Sequence, residues 1–353
     1  MTKTIRRLIT SGVLAVLTVL LVALAMNIPG FFNIYPAISR KILSALAAFT
    51  APVPFAVWEW VALGLFVWAI VSLVLSLRKR HFVRWLSGVL EGVCIGVFLF
   101  VGIWGLNHFG PAIQEKMAFS VGETSVAQLK EATEYYLSVA NELSTQVPRD
   151  KNGLFDPGKF EDLAKQAGNG YQTLAKQYDL FDGSTVRVKK LTSSYFFGKM
   201  GITGIFVDFT GESCVSTKTF AASVPFTMCH EIGHRMAIAA ENEANFAAFL
   251  ACDASDSVIF RYSGYYEAFS YCFSALSKAD PDAAGQVWAQ VNEWVAADRT
   301  GAYHHYEQVT SETAEKISDT VNDTYLKAFS QSSGVQSYGE VADLLIAWYF
   351  RTK

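Results

Sequence analysis

Three long apolar stretches near the N-terminus constrain this 353-residue chain more than any other feature of its sequence. They run from about residue 8 to 26, from 54 to 77 and from 85 to 106. A helix needs about 20 consecutive apolar residues to cross the hydrocarbon core of a bilayer, and these stretches are apolar all around rather than along one face. We therefore predict a membrane region over residues 1–107 with three transmembrane helices.

Lysine and arginine residues indicate how the predicted spans are oriented. Three basic residues precede the first span and four lie between residues 78 and 84, whereas the loop between the first two spans has only Arg40 and Lys41. Because cytoplasmic loops carry the excess of basic residues, we expect a multi-pass protein of the plasma (inner) membrane with a cytoplasmic N-terminus and an extracytoplasmic C-terminal domain. The alternative, a signal peptide cleaved at Ala23-Leu24-Ala25, leaves that domain on the same side.

From residue 108 onward the sequence is typical of a water-soluble domain. Apolar residues recur with helical spacing in most segments, while Thr185–Leu191 and Gly201–Phe209 alternate as strands do. The predicted helices lie near residues 126–143, 157–177, 241–253, 262–277, 281–298, 311–329 and 338–350, and one more carries the motif described below. We predict that residues 108–353 form a mainly α domain of the α+β class with a small β-sheet.

Charge and cysteine usage exclude two classes of function. The formal net charge of −3 argues against a nucleic-acid-binding protein, which would usually be strongly basic. The five cysteines form no CxxC pair, so a cysteine zinc site is not expected. Buried thiols are the favoured interpretation, and one disulfide is the alternative for a domain outside the cytoplasm.

The sequence His230-Glu231-Ile232-Gly233-His234 is an HExxH motif. Residues four apart share one face of a helix, so both imidazoles can bind one zinc ion. Glu231 can then act as the general base towards a zinc-activated water. The alternative is a chance match on an ordinary helix with two surface histidines. The apolar residues before the motif and the two glutamates after it favour a metal site.

A catalytic zinc ion bound by two histidines commonly takes a glutamate as its third protein ligand. Glu241 is the first candidate, because Asn245 lies four residues later and could orient a ligating histidine through a hydrogen bond. Glu243 is the alternative. On a continuous helix Glu241 would lie roughly 10 Å beyond His234. The chain must therefore reverse within residues 235–240, which contain no glycine or proline.

The strand predicted before the motif suits a peptidase. An exposed strand such as Ile205-Phe206-Val207 can align an extended peptide by adding it to the sheet. Stabilising a developing negative charge also calls for a Tyr, His or Arg side chain. The candidates for such transition-state or substrate contacts are Tyr262, Tyr265, His304, His305 and Tyr338, each of which more often has a structural role.

Several segments outside the motif carry a family resemblance. They are Trp104-Gly105-Leu106-Asn107, Gly201-Ile202-Thr203-Gly204, Phe209-Thr210-Gly211-Glu212, Pro225-Phe226-Thr227, Glu243-Ala244-Asn245-Phe246, Arg261-Tyr262-Ser263-Gly264-Tyr265, Tyr325-Leu326-Lys327 and Gly334-Val335-Gln336-Ser337-Tyr338-Gly339. With the HExxH, the chain resembles a bacterial membrane family of unknown function with three transmembrane helices and a zincin-like domain. The resemblance implies a gluzincin-type zinc site at His230, Glu231 and His234 with a following glutamate, but no known substrate. The family pattern has a glycine where this chain has Ala237.

These observations lead to one function hypothesis and two alternatives. We expect a membrane-anchored zinc metallopeptidase with one Zn²⁺ per chain, whose partners are the lipid bilayer and a peptide or protein substrate at its outer face. One alternative is a peptidase-like sensor or receptor that signals through the spans. The other is a non-catalytic envelope scaffold that binds zinc or peptide without turnover. The sequence indicates no oligomeric state.

Overall fold

The computed structural model describes residues 2–328 and 338–353, except for the side chains of residues 322, 325–328, 338 and 339. Most of the described chain is helical. The first four helices are α1 (Lys3–Asn27), α2 (Phe31–Thr50), α3 (Val57–Arg78) and α4 (Phe82–Ile103). The others are α5 (Ile113–Lys116), α6 (Val126–Ser144), α7 (Phe160–Gln166), α8 (Asn169–Leu174), α9 (Ser194–Lys199), α10 (Val224–Arg235), α11 (Glu241–Asp253), α12 (Val258–Ala279), α13 (Pro281–Trp288), α14 (Glu293–Val309), α15 (Glu312–Ala328) and α16 (Tyr338–Thr352).

Helices α1, α3 and α4 are long and apolar enough to cross a membrane, and they coincide with the three apolar stretches predicted from the sequence. We call them the span helices. Helix α1 packs along α4, and Arg7 joins them at one end: its guanidinium donates to the main-chain oxygen of Arg84 at 2.9 Å and lies 3.2 Å from the carboxylate of Glu91. The basic residues of both cytoplasmic segments predicted from the sequence therefore share this end. The globular domain packs against the opposite end.

Helix α2 was not expected, because we interpreted residues 27–53 as a loop. It begins after Gly30, whose φ of 77° turns the chain out of α1. One side of α2 is buried against α4 and the domain, while an adjacent side exposes isoleucines and a phenylalanine. An apolar exposed side next to a buried side that includes Ser39 and Thr50 produces neither a continuous apolar run nor a clean amphipathic pattern, so the sequence signal was weak.

A three-stranded sheet lies between the span helices and the helical core. Its strands are β1 (Lys189–Lys190), β2 (Gly204–Val207) and β3 (Glu212–Val215), in the order β1-β3-β2. Strand β3 pairs parallel to β1 and antiparallel to β2. The two predicted strands are thus present but shorter, and β3 was missed. Strand β2 lies at one edge of the sheet.

The main hydrophobic core of the domain is helical and is centred on α10, α11 and α12. Two long predicted helices are each divided in two by the structure. Residues 157–177 form α7 and α8, and 281–298 contain α13 and the start of α14. At Gly170 in α8 a Cβ atom would lie only 1.8 Å from the main-chain oxygen of Ala251. Close approach to α11 therefore sets the path of this segment.

Two carboxylates, the buried one of Glu212 and the half-buried one of Glu59, join the sheet side of the domain to span helix α3. Glu212 of β3 accepts hydrogen bonds from the main-chain amides of Val57 and Trp58, at 2.8 and 2.9 Å, and so caps the first turn of α3. Glu59 of α3 in turn accepts from the main-chain amides of Thr192 and Ser193, at 2.7 and 2.8 Å. A side chain of the domain thus accepts main-chain hydrogen bonds from α3, and a side chain of α3 accepts main-chain hydrogen bonds from the domain. Together these bonds fix the orientation of the domain relative to the span helices.

Candidate metal centre

His230 and His234 lie one turn apart on α10, and Glu241 is the first residue of α11. Their donor atoms all lie within 4.8 Å of one another. The two Nε2 atoms are 3.0 Å apart, and the carboxylate oxygens of Glu241 lie 3.3 Å from His230 Nε2 and 3.5 Å from His234 Nε2. Ligand atoms bound at about 2.1 Å in a tetrahedral zinc site are about 3.4 Å apart. The three side chains could therefore hold one metal ion with little adjustment.

The chain reverses between the histidines and Glu241 through a turn centred on Ala237. Ala237 has a φ of 65°, in the left-handed region. The amide of Ile238 donates to the main-chain oxygen of Gly233 at 3.3 Å, and that of Ala237 to the oxygen of His234 at 3.0 Å. This pair of hydrogen bonds is a Schellman motif, in which the left-handed position is usually glycine. The reversal is thus made without a glycine.

The same turn orients His234. The main-chain oxygen of Ile238 lies 2.8 Å from Nδ1 of His234. A carbonyl oxygen can only accept a hydrogen bond, so Nδ1 carries the proton. The lone pair of Nε2 then points towards the candidate metal-ligand atoms of the other two residues. We expected Asn245 to orient a histidine in this way. Among the described residues its amide is bonded to neither histidine, and Nδ1 of His230 is buried without a hydrogen-bond partner.

Charges within the cluster stabilise one another. Burial alone would raise the pKa of Glu241, but His234 and His230 hold it well below its usual range. Burial alone would lower the pKa of His234, but Glu241 and Glu231 raise it to about 9. A cation is therefore favoured at this point, and a bound metal ion would take the place of the proton on the histidine.

Glu231 follows His230 and is only 4% exposed. Burial raises the pKa of its carboxyl group to about 7, although the two histidines oppose the shift. Its Oε2 atom has no hydrogen-bond partner among the described residues, and its other carboxylate oxygen lies beside β2. A Cβ atom at Gly204 would lie 2.3 Å from that oxygen. Only glycine thus lets β2 pass this close to Glu231.

Edge strand β2 runs directly alongside the cluster. The ring of Phe206 stacks on the imidazole of His234 with 6.4 Å between centroids. Ile205, Phe206 and Val207 are all half-buried, so part of each side chain is accessible. The three residues predicted to align a peptide therefore lie on an edge strand beside the candidate ligands.

The C-terminal end of span helix α4 forms another wall of the site. Trp104 donates its indole N–H to the main-chain oxygen of His234 at 3.1 Å, and its ring contacts both Phe206 and His108. His108 is close enough to the cluster for the charges of His234 and Glu241 to act on it. Burial, with help from His234, lowers the pKa of His108 to about 4 despite the opposing effect of Glu241, so its imidazole is neutral at physiological pH.

The alternative ligand Glu243 is directed away from the histidines. Its carboxylate accepts a hydrogen bond from the main-chain amide of Ile113 at 3.0 Å. Burial raises the pKa of Glu243, although the ammonium group of Lys116 opposes this. Of the two glutamates considered from the sequence, the structure brings Glu241 to the histidines.

The candidate tyrosines Tyr262 and Tyr265 have other partners. Tyr262 is fully buried and donates its hydroxyl to Asp298, which also pairs with Arg149 at 2.8 Å. Tyr265 donates to Asp253 at 2.8 Å. Both hydroxyl protons are thus committed within the helical core, and neither is directed at the metal-ligand cluster.

The remaining candidates lie elsewhere or outside the described side chains. His304 is largely exposed and lies 3.6 Å from the carboxylate of Glu307. His305 donates from Nε2 to the main-chain oxygen of Lys218 at 2.7 Å. Tyr338 begins α16, and its side chain is outside the part of the chain that the structure describes.

Sequence reasoning missed the contributions of Trp104, His108 and Gly204 to the site. Trp104 and His234 are 130 residues apart, so local periodicity could not connect them. Two of the three residues lie in segments that carry the family resemblance: Trp104 in the segment that ends the third span, and Gly204 in a segment before the motif.

Comparison with known proteins places the chain in a family but gives no activity. No curated protein and no solved structure matches it. Residues 33–346 match the family described as protein of unknown function DUF3810. The match includes two of the three span helices, the sheet and all residues of the candidate metal centre, and it covers well over half of the chain. The chain therefore belongs to the DUF3810 protein family.

Proposed function

We propose that this chain is a membrane-anchored zinc metallopeptidase with a zincin-like domain of the gluzincin type. The observation that carries the proposal is the convergence of His230, His234 and Glu241 beside the buried carboxyl group of Glu231. Two histidines and a glutamate are a ligand set used for catalytic zinc. Calcium and magnesium prefer sites made of oxygen atoms alone, which disfavours them here.

A zinc ion held by these three residues would supply a Lewis acid that activates water and polarises the peptide carbonyl. Glu231 then takes the proton from the attacking water and delivers it to the amide nitrogen of the leaving peptide. The Oε2 atom of Glu231 has no hydrogen-bond partner among the described residues, so it is available to accept that proton. Gly204 keeps the carboxylate in place, since a larger residue would displace it.

Strand β2 supports a peptide as the substrate. Among the strands that the structure describes, it pairs with β3 alone, so its other side is the one that could pair with an extended chain. The stacking of Phe206 on His234 sets the distance between such a peptide and the metal ligands. The neutral imidazole of His108, on the span side of the cluster, is a further group that could donate to a developing oxyanion.

The arrangement of charges supports an extracytoplasmic domain. The basic residues near Arg7 and Arg84 lie together at the end of the spans opposite the domain. By the positive-inside rule that end is cytoplasmic. The proposed substrate is therefore a peptide or protein at the outer face of the plasma membrane.

The test is Glu231→Gln in protein purified in detergent with its zinc content measured. The amide cannot accept a proton but has nearly the same shape, so we expect the variant to keep zinc and to lose at least 100-fold in cleavage of a fluorogenic peptide library. Glu243→Gln is the matched control and should cleave at nearly the rate of the unmodified chain. Cleavage by Glu231→Gln at the full rate would refute the proposed general base.

Zinc binding without any turnover by the unmodified chain would favour the sensor hypothesis instead. In that case a bound peptide should change the protection of the span helices against hydrogen exchange. Absence of zinc from gently purified protein would favour the scaffold hypothesis.

A further inference from the structure

Helix α2 has an exposed apolar side that the fold of the single chain leaves uncovered. Ile34, Ile38, Ile42 and Phe49 recur at spacings of four, four and seven, so they share one side of the helix, and they are 64, 49, 38 and 85% exposed. The buried side carries Tyr35, Ser39, Leu43, Ala47 and Thr50. A large exposed apolar patch on a protein usually marks contact with another protein or with a membrane.

The connections of α2 keep it close to the bilayer surface. Three residues separate it from α1 and six separate it from α3. At about 3.5 Å per residue these links reach about 10 and 20 Å. Because both flanking helices are spans, α2 must lie near the level at which they leave the membrane.

The contacts of α2 show that it crosses the ends of the spans instead of running through the bilayer. Its first half contacts the end of α1 and the last turn of α4, where Tyr35 donates to the oxygen of Gly102 at 3.2 Å and Ser39 to that of Ile103 at 2.7 Å. Its last residue, Thr50, donates to the oxygen of Thr210 in the β2–β3 turn at 3.2 Å. The helix is therefore placed between the spans and the domain.

Aromatic side chains lie at the end of span helix α3 to which α2 is linked. Phe55, in the link after α2, contacts Trp60 at 6.0 Å between centroids, and Trp60 lies in the first turns of span helix α3. Both rings are about half exposed. Tryptophan is enriched where spans meet the lipid headgroups. Exposed aromatic rings thus lie at the end of span helix α3 that is linked to α2.

We propose that α2 is an interfacial membrane helix whose exposed side lies among the lipids, and that it seats the candidate metal centre at the bilayer surface. Leu43 on its buried side packs with Trp104 and with Ala239, which belongs to the turn between His234 and Glu241. The substrate class that fits this placement, given the proposed peptidase activity, is a membrane-anchored polypeptide cut close to its anchor.

The first test measures the position of α2 and does not depend on catalysis. A nitroxide label is attached at Ile38→Cys in nanodiscs, with Tyr303→Cys as the control, because Tyr303 is 67% exposed on the domain. Four native cysteines are buried and Cys94 is half-buried, so labelling of the unmodified chain gives the background. We expect the label at position 38 to be more accessible to oxygen than to a water-soluble nickel chelate, and the label at position 303 to show the reverse.

Two results would overturn the interfacial helix. Equal access of the nickel chelate to positions 38 and 303 would place α2 in water. Protection from both reagents that increases with protein concentration would mean that a second copy of the chain covers it.

The second test measures the height of the site above the membrane. The same fluorogenic peptide library is joined to a palmitoyl anchor in the nanodisc through spacers of about 5 or 15 residues, which span about 17 and 50 Å. We expect the short spacer to be cut within threefold of the rate of the long one. Cleavage of the long-spacer and free peptides only would overturn the substrate class, whereas no cleavage of any of them would count against the proposed peptidase instead.

Discussion

The indole N–H of Trp104, at the end of span helix α4, donates a hydrogen bond to the main-chain oxygen of His234. This contact joins the residue that follows span helix α4 to the helix that carries both candidate histidine ligands. Leu43 of α2 packs against the same tryptophan. The candidate metal centre is therefore built partly from the membrane region, and changes in the spans can reach it directly.

Gly204 tests whether the position of Glu231 depends on β2. In Gly204→Ala the added methyl group would overlap the carboxylate and displace it. We expect cleavage to fall at least tenfold while zinc content is unchanged, since a misplaced base slows the reaction without removing a ligand. Gly285→Ala is the control, because a Cβ atom at Gly285 meets nothing within 4 Å. Equal activity of the two variants would show that Glu231 is not held by β2.

Ala237 tests the turn between His234 and Glu241. An alanine in the left-handed region costs about 1–2 kcal/mol. Ala237→Gly relieves this strain, and the relief should offset most of the stability that the variant loses through its missing buried methyl group and its more flexible unfolded chain. Ala239→Gly removes a similarly buried methyl in the same segment without a positive φ to relieve. We expect Ala237→Gly to be more stable than Ala239→Gly by about 1 kcal/mol in thermal unfolding in one detergent. The opposite order would mean that packing, not backbone strain, dominates at Ala237.

Glu212 tests the junction between the sheet and span helix α3. Its side chain is buried, pairs with Lys189 at 2.6 Å and caps α3. Glu212→Gln leaves the ammonium group of Lys189 buried without a counter-charge, which should cost about 3–5 kcal/mol of unfolding free energy. The exposed pair of Glu312 and Lys316 is the control, and Glu312→Gln should leave the melting temperature nearly unchanged. A small effect at Glu212 would indicate that water reaches this junction.

The buried carboxyl group of Asp208 should make the stability of the fold depend on pH. The side chain is 7% exposed, and burial raises its pKa from 3.8 to about 6. The folded chain therefore binds this proton more tightly than the unfolded chain, so its contribution to stability is complete below about pH 4 and is lost as the pH rises through about 6. Asp208→Asn should remove this dependence and raise stability at pH 7.5 by on the order of 1–3 kcal/mol. An unchanged pH profile of unfolding would contradict the assignment.

The parts of the fold that were predicted correctly have strong local signals. Span helices α1, α3 and α4 follow from continuous apolar sequence, and α11 has the predicted bounds. Helix α2 was missed because its exposed side is apolar while its buried side includes the hydroxyl groups of Tyr35, Ser39 and Thr50, so the usual amphipathic pattern is absent. Strand β3 was missed because all four of its residues are buried, including the charged Glu212, so it shows no alternation.

In the candidate site, too, the features that have a local sequence signal were predicted and the others were not. The spacing of His230 and His234 is a local property of a helix, so sequence was sufficient to bring them together. The choice between Glu241 and Glu243 depended on a turn through a left-handed alanine, which no residue preference would predict. The role expected of Asn245 is filled for His234 by a main-chain oxygen, that of Ile238, and main-chain hydrogen bonds leave no mark in the side-chain pattern.

The most direct test of the metal centre is the zinc content of three purified proteins measured by mass spectrometry. The unmodified chain and Glu243→Gln should each hold about one zinc ion per chain, whereas Glu241→Gln should lose most of it after dialysis against a mild chelator. Each protein must first show the same helical content, so that a loss of zinc is not a loss of fold. Full zinc in Glu241→Gln, or none in the unmodified chain, would contradict the ligand set on which the proposed function rests.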